Sequence, residues 1–342
     1  MFDREPVTLL KPLYGAEPDL SENLASFLAQ PWGAPLQMVC GVQRAEDPAI
    51  DVVAEVQARH PDAAIDLVRD DRAIGANAKI SNLAHCVQQA RHDVLILSDS
   101  DIAVGPDYLP AVMAALVRPG AGAVTCLYRG VGIQGIWSRL VALGIDLHFL
   151  PSALIGLATG LAHPCMGSTI ALRRETLERI GGFEAFADVL ADDHAIGAAV
   201  RGLGLTMEVP DMLVTHSCGE RSLGDLWRHE LRWNATIRSV DPAGYAGSFI
   251  LHPLPLALLG MAMGGWLVTG GIAILLAIAV RGAIALRLDH RPLPVLLLAP
   301  IRDLLSFALF LSSWRARSVD WRGAQLRIES QGRISTELEN SR

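Results

Sequence analysis

Over the first part of the chain, short apolar runs alternate with longer amphipathic stretches. That alternation predicts strand–helix–strand units on a largely parallel sheet. Strands are expected at 7–12, 36–42, 65–68, 93–97 and 123–128, and helices at 19–29, 49–59, 79–91 and 106–117. Asp19 or Ser21 suits the N-cap of the first helix, and Pro106 suits the first turn of the last. The fold class is therefore α/β, and open α/β sheets bind ligands beyond the carboxyl ends of their strands.

The later pattern is less regular. Residues 133–150 are apolar with sparse charge, which predicts a helix lying along a membrane face. Cys165 to Thr169 forms a small-residue turn into a short strand, followed by a helix from Arg174 that ends at Gly181-Gly182. A helix over 186–203 would carry Asp192 and Asp193. Another over 223–240 sets Leu223, Leu226, Trp227, Leu231, Trp233 and Ile237 against Arg228, Arg232 and Arg238. Such a helix fits the headgroup plane of a bilayer or an ordinary soluble core, and periodicity does not separate the two. From Phe249 to Val280 no charged residue occurs, longer than the roughly 20 residues a span needs. The best span is 256–280, kinked at Gly264-Gly265 or Gly270-Gly271. A second apolar stretch, 293–313, carries Arg302-Asp303 near its middle, so it is a span facing a bundle interior or wet cavity, or a re-entrant segment. Arginines on both sides leave the orientation rule undecided.

Composition sharpens this picture. The formal net charge of -7 argues against nucleic acid as a partner. Five scattered cysteines without a C-x-x-C read as reduced, buried thiols. The 51% hydrophobic content is concentrated toward the C-terminal side, as expected of a globular domain followed by a membrane module. No cleavable leader is expected, since the opening residues lead straight into a strand.

The candidate chemistry lies in four places. An apolar run ending in Ser98-Asp99-Ser100-Asp101 brings two carboxylates to the rim of a sheet, where oxygen ligands suit a hard divalent cation that also holds a diphosphate. Asp-x-Asp pairs alone mostly mark loops; the buried strand behind this one distinguishes it. Asp47 lies past another strand end and fits either a cap before Pro48 or a nucleoside contact. Asp193, beside Asp192, fits a general base or an exposed helical turn. Arg232 offers bidentate donors to a diphosphate and Trp233 a platform for a sugar, against a surface charge and a core aromatic. His216, in V-T-H-S-C, is a further candidate metal ligand or a satisfied core histidine.

The order Asp47, Asp99-x-Asp101, Asp193, then Arg232-Trp233 resembles the membrane-bound family 2 and 21 glycosyltransferases. L-L-K-P-L-Y-G-A-E-P-D-L-S-E-N-L, G-A-N-A-K-I-S-N-L, S-D-S-D-I and I-G-G-F resemble the ceramide glucosyltransferase-like family. W-R-H-E-L-R-W-N-A-T-I-R-S-V-D-P-A-G-Y resembles its hopanoid-biosynthesis members. The resemblance implies a GT-A-type, Rossmann-like domain that inverts at the anomeric carbon. It also implies a UDP-sugar donor, most simply UDP-N-acetylglucosamine, Mg²⁺ or Mn²⁺, and a membrane lipid acceptor, either hopanoid (bacteriohopanetetrol) or ceramide. By position it puts Asp47 near uridine, Asp99 and Asp101 on the metal, Asp193 as base, and Arg232 and Trp233 in the final donor motif. Lys79 would meet uracil or phosphate. The implied layout is a cytosolic catalytic domain over 1–221, an interfacial helix over 222–248, a membrane module over 249–313 and a basic tail over 314–342. The implied location is a bacterial inner membrane with the catalytic domain facing the cytoplasm. One departure stands out: His229 replaces the Gln or Arg that usually opens the final motif.

Overall fold

The computed structural model describes residues 4–264, 267–288, 292–321, 324–328 and 332–336. In chain order the first stretch runs β1 (Val7–Pro12), α1 (Leu20–Leu28), β2 (Leu36–Val42), α2 (Ala49–Arg59), β3 (Ala64–Arg69), α3 (Ala78–Cys86), β4 (Val94–Leu97), β5 (Ile102–Ala103), α4 (Tyr108–Leu116), β6 (Ala121–Thr125) and β7 (Leu127–Gly132). Then come α5 (Gly135–Gly144), α6 (Leu150–Thr159), β8 (Ile170–Arg173), α7 (Arg174–Arg179), α8 (Asp192–Gly202), β9 (Thr206–Glu208) and β10 (Leu213–Cys218). The remainder is α9 (Leu223–Val240), α10 (Pro242–Gly247), α11 (Pro253–Ala262), α12 (Leu267–Arg287), α13 (Pro292–Ser313), β11 (Ser318–Trp321), β12 (Ala324–Ile328) and β13 (Ile334–Thr336).

The chain clusters into two compact units, residues 1–129 with 155–217, and 130–154 with 218–342. The first is built on a seven-stranded sheet in the order β3-β2-β1-β4-β8-β6-β9. Strands β3, β2, β1 and β4 are parallel, and β8 runs antiparallel between β4 and β6. Side chains alternate across it as the pleat requires. Val7 and Leu9 of β1 pack with Leu24 and Phe27 of α1 and Val53 of α2, while Leu10 packs on the other face with Ile80 and Leu83 of α3 and Ile196 of α8. Burial on both faces explains why β4, V-L-I-L, reads as an unbroken apolar run. The parallel strands end together, so the turns after β1, β2 and β4 border one rim.

Strands β1 and β2 and helices α2 and α9 keep the bounds that periodicity gives them. Four expectations are corrected. The single strand over 123–128 is two, β6 and β7. The helix over 79–91 ends at Cys86 and continues as a 3-10 turn, Val87–Gln89. The helix over 186–203 begins only at Asp192. The cause is Asn77, whose backbone N–H donates to the Ala187 carbonyl (2.7 Å) and whose side chain donates to the Val189 carbonyl (2.7 Å), holding that stretch as a turn. The N-cap Asp19 makes no side-chain cap and sits in the left-handed region (φ 60).

The helix opening at Gly135 passes through a π-helical turn, Ile145–Phe149, and runs on to Thr159. Among the described residues, three helices are long and apolar enough to cross a membrane: Gly135–Thr159, Leu267–Arg287 and Leu293–Ser313. This corrects the expectation of two, because the stretch over 133–150 is the start of a longer helix. The expected span over 256–280 is also broken. Helix α11 ends at Ala262, Gly264 takes φ +90, and α12 starts afresh at Leu267. The expected basic tail contains an antiparallel sheet, β11-β12-β13. All five cysteines are buried.

Candidate active site

The carboxyl end of β4 delivers Asp99 to the rim in the first unit. Its backbone is clamped from both sides: its N–H donates to the Gly167 carbonyl (3.1 Å), and its carbonyl accepts from the Lys11 ammonium (2.7 Å). Lys11, next to the last residue of β1, is fully buried, also reaches Ser98 Oγ (3.2 Å), and lies 3.9 Å from the centre of the Phe27 ring. Burial pulls the Lys11 ammonium down to about 8, against the pull of Asp99.

The Asp99 carboxylate meets Lys79 Nζ at 2.7 Å, and the same ammonium lies 3.3 Å from Asp192 Oδ2. Lys79 stands in the first turn of α3, whose N-cap Asn77 accepts from the Ile80 N–H. Burial opposes the Lys79 charge, but Asp192, Asp99 and Asp193 outweigh it and raise its pKa. Desolvation raises Asp99, and Asp101 adds to the rise while Lys79 opposes it.

Asp192 and Asp193 open α8, where free N–H groups favour negative charge. Asp193 accepts from the His194 N–H (2.7 Å) and the Gly167 N–H (3.2 Å). Desolvation, then repulsion from Asp192, nevertheless lifts its carboxyl to about 6. Gly167 therefore touches both acids, and any larger residue would make the pair shift: an added Cβ would stand 2.6 Å from Asp99 Oδ2 and 2.8 Å from Lys79 Nζ.

Asp101 reaches the rim beside β5, its Oδ2 lying 3.2 Å from His216 Nε2 of β10, whose ring stacks on Tyr128. Asp47 sits apart from this group. It is buried, accepts from the N–H groups of Gly15 (2.8 Å) and Ala49 (3.0 Å), and pairs with Arg44 (3.0 Å). It thus ties the turns after β1 and β2 to each other. Burial works to raise its pKa, but the Ala49 amide and Arg44 outweigh it and hold the carboxyl low.

Among the described residues, no three His, Cys, Asp or Glu side chains gather as a metal cage. A hard divalent ion held jointly with phosphates needs only one or two carboxylates, so Asp99 and Asp101 at a rim satisfy the chemistry. In the second unit, Arg232 lies over the Trp321 ring (5.7 Å) and Trp233 meets His229 edge-on (4.3 Å). His229, the departure from the final motif, pairs through Nδ1 with Glu220 (2.5 Å).

Of the residues singled out from sequence, Asp99, Lys79 and Asp193 converge, and Asp192 joins them. Lys11 and Gly167 were missed. A lysine within a mostly apolar strand was the available signal for the first; the second had only its place in C-M-G-S-T.

The mannosyltransferase PcManGT of Pyrobaculum calidifontis, solved with GDP-Man and Mn²⁺, superposes with a TM-score of 0.54 at 21% identity, covering 92% of this chain and 87% of that one. That likeness shows the GT-A-type fold. Ceramide glucosyltransferase 1 of Caenorhabditis elegans is 25% identical over 199 residues, which are 58% of this chain and 42% of that protein. Ceramide glucosyltransferase 3 of the same organism is 23% identical over 241 residues, 66% and 49% respectively. The chain thus spans less than half the length of these curated relatives. The model of "Glycosyl transferase family 21" matches residues 2–334, nearly the whole sequence. The chain belongs to glycosyl transferase family 21.

Proposed function

We propose that the protein transfers a sugar from a nucleoside-diphosphate sugar, a UDP-sugar, to a hydroxyl of a membrane lipid. The observation that carries this is the group around Lys79. One ammonium lies between the strand-end Asp99 and Asp192, next to a carboxylate, Asp193, held basic enough to take a proton near neutral pH. Asp99 and Asp101 would hold Mg²⁺ or Mn²⁺, which when bound neutralises charge on a departing diphosphate. Lys79 orients Asp99 and balances the acidic group. Asp193 accepts the proton of the acceptor hydroxyl as its oxygen bonds to the anomeric carbon and the bond to the diphosphate breaks, with inversion. Asp47 would border the nucleoside, and Arg232 and Trp233 would act on the donor.

Three helices with the length and apolar composition of spans support a membrane location. On this reading the catalytic domain works at the cytoplasmic face of a bacterial inner membrane, a location that follows from the resemblance to hopanoid-biosynthesis members and not from the helices. For the acceptor we favour a hopanoid polyol receiving N-acetylglucosamine, on the stretch around His229 to Tyr245. The similarity to two ceramide glucosyltransferases favours a second reading, in which ceramide receives glucose. The test is incubation of the purified full-length protein with UDP-N-acetylglucosamine or UDP-glucose and each lipid, with product mass as the readout. Transfer to neither lipid would overturn the proposal.

A further inference from the structure

Arg302 lies within α13, an apolar helix of span length, where an unpaired charge is costly and calls for a partner. Both its Nη atoms reach Glu230 of α9, Nη1 to Oε1 and Nη2 to Oε2, each at 2.5 Å. The two side chains are 5% and 6% exposed. Nη1 also donates to the Leu140 carbonyl of α5 (3.2 Å), and Nε donates to Ser306 Oγ (3.1 Å). The backbone of α5 presses directly on the guanidinium: a Cβ at Gly144 would stand 2.6 Å from its Cζ. Three helices therefore meet at one planar fork whose three nitrogens are each engaged.

Cohesion alone does not explain this arrangement. A buried ion pair recovers little beyond its own desolvation, and a well-packed apolar pair usually holds helices as well or better. A bidentate fork differs from an apolar contact in fixing both the axial position and the rotation of the element it grips. Glu230 lies just ahead of Arg232, and with Trp233 it forms an i, i+3 pair of neighbours on the helix surface. We propose that Glu230 and Arg302 are a positioning pair that sets the register of α9, and through it the orientation of Arg232 and Trp233, for sugar transfer. This rests on the reading above that Arg232 and Trp233 serve the transfer. His229, braced by Glu220 and touching Trp233, is a second support on the same helix.

The experiment uses the full-length protein in lipid nanodiscs, with UDP-glucose or UDP-N-acetylglucosamine as donor and ceramide or bacteriohopanetetrol as acceptor. The double variant E230M/R302M replaces the fork by apolar side chains of similar length. It should keep the wild-type unfolding midpoint and UDP affinity while kcat falls by about tenfold or more, within the coupling range of contacting residues. In a Trp233→Phe background the same double substitution should lower kcat by less than about twofold, because both changes act through one element. A wild-type kcat in E230M/R302M, or losses that simply multiply, would overturn the proposal. Should that variant not fold, Arg302→Lys keeps the charge and removes the fork. It should lower kcat several-fold at unchanged UDP affinity, and a wild-type kcat there also overturns it. A wild-type protein that transfers to neither lipid refutes the functional reading; one that transfers, with the pair insensitive, refutes only the positioning role.

Discussion

Asp193→Asn separates what this site contributes to chemistry from what it costs the fold. Burial and Asp192 lift the Asp193 carboxyl from an ordinary 3.8 to about 6, so the folded protein holds a proton there that the unfolded chain releases. Stability from this group is full below pH 3.8, declines as pH rises toward about 6 and is absent above it. The difference between the two values corresponds to at most about 3 kcal/mol at neutral pH. Asparagine carries no charge and removes that penalty. It also offers one oxygen where the carboxylate uses two, toward the N–H groups of His194 and Gly167, and losing one such bond costs about 1 kcal/mol. The variant should therefore gain about 1–2 kcal/mol of stability at pH 7 and lose that advantage by pH 5. Turnover should fall by roughly 10²–10⁴, the usual contribution of a general base, with UDP affinity near normal. The acid limb of the wild-type kcat profile, expected near pH 6, should vanish from whatever activity remains. Denaturant unfolding at several pH values, UDP titration and product assays measure the three quantities. A variant less stable than wild type at pH 7, or one that no longer binds UDP, would refute the reasoning.

Three further outcomes are expected. EDTA should silence the wild-type protein and Asp101→Asn should lower turnover strongly without unfolding it; undiminished transfer in EDTA removes the metal from the reading. Gly167→Ala should reduce turnover at least about tenfold with UDP affinity less affected, since its Cβ would sit 2.6 Å from Asp99 Oδ2 and must displace that carboxylate. Asp47→Ala should cost about 1–3 kcal/mol, because the amides of Gly15 and Ala49 lose their acceptor. Loss of UDP affinity beyond that destabilisation supports the nucleoside contact, and unchanged affinity leaves Asp47 a structural tie between two rim turns.

What the sequence disclosed follows from how local each signal is. The bounds of β1, β2, α2 and α9 come from periodicity within the segment itself, and the strand behind Asp99 is recognisable because both its faces are buried. The start of α8 was hidden because it depends on Asn77, more than a hundred residues earlier, taking the carbonyls of Ala187 and Val189. The same distance hid Gly167. Nothing in C-M-G-S-T announces that Asp99 and Lys79 close upon it, and the crowding a side chain would cause there is visible only once β4, α3 and α8 are assembled. Asp47 was legible as two alternatives, cap or nucleoside contact. The structure adds a third function, since one carboxylate serves two separate turns.

Buried charge is the property that joins the legible and the hidden parts. Sequence exposes an anomaly such as Arg302 in an apolar helix, because such a residue carries a desolvation cost that ordinary core positions avoid; Lys11 in β1 is an anomaly of the same kind that was overlooked. Sequence does not reveal the compensation, which is always non-local here: Lys11 is answered by the Asp99 carbonyl, Lys79 by Asp99 and Asp192, and Arg302 by Glu230. In each case the partner or its neighbour belongs to the proposed reaction. Asp99 stands in the metal pair, Asp192 beside the base, and Glu230 just ahead of Arg232 and Trp233. Charges retained at such cost for cohesion alone should tolerate apolar replacement, whereas charges that fix the geometry of a reacting group should not. Substituting Lys11 by Met tests this in the first unit as E230M/R302M does in the second. Stability should be kept within about 1–2 kcal/mol, because relief of desolvation offsets the lost hydrogen bonds to Ser98 and Asp99. Turnover should nevertheless fall, since the Asp99 backbone loses one of its two clamps, and a Lys11→Met protein with wild-type kcat would show that the buried ammonium serves the fold alone.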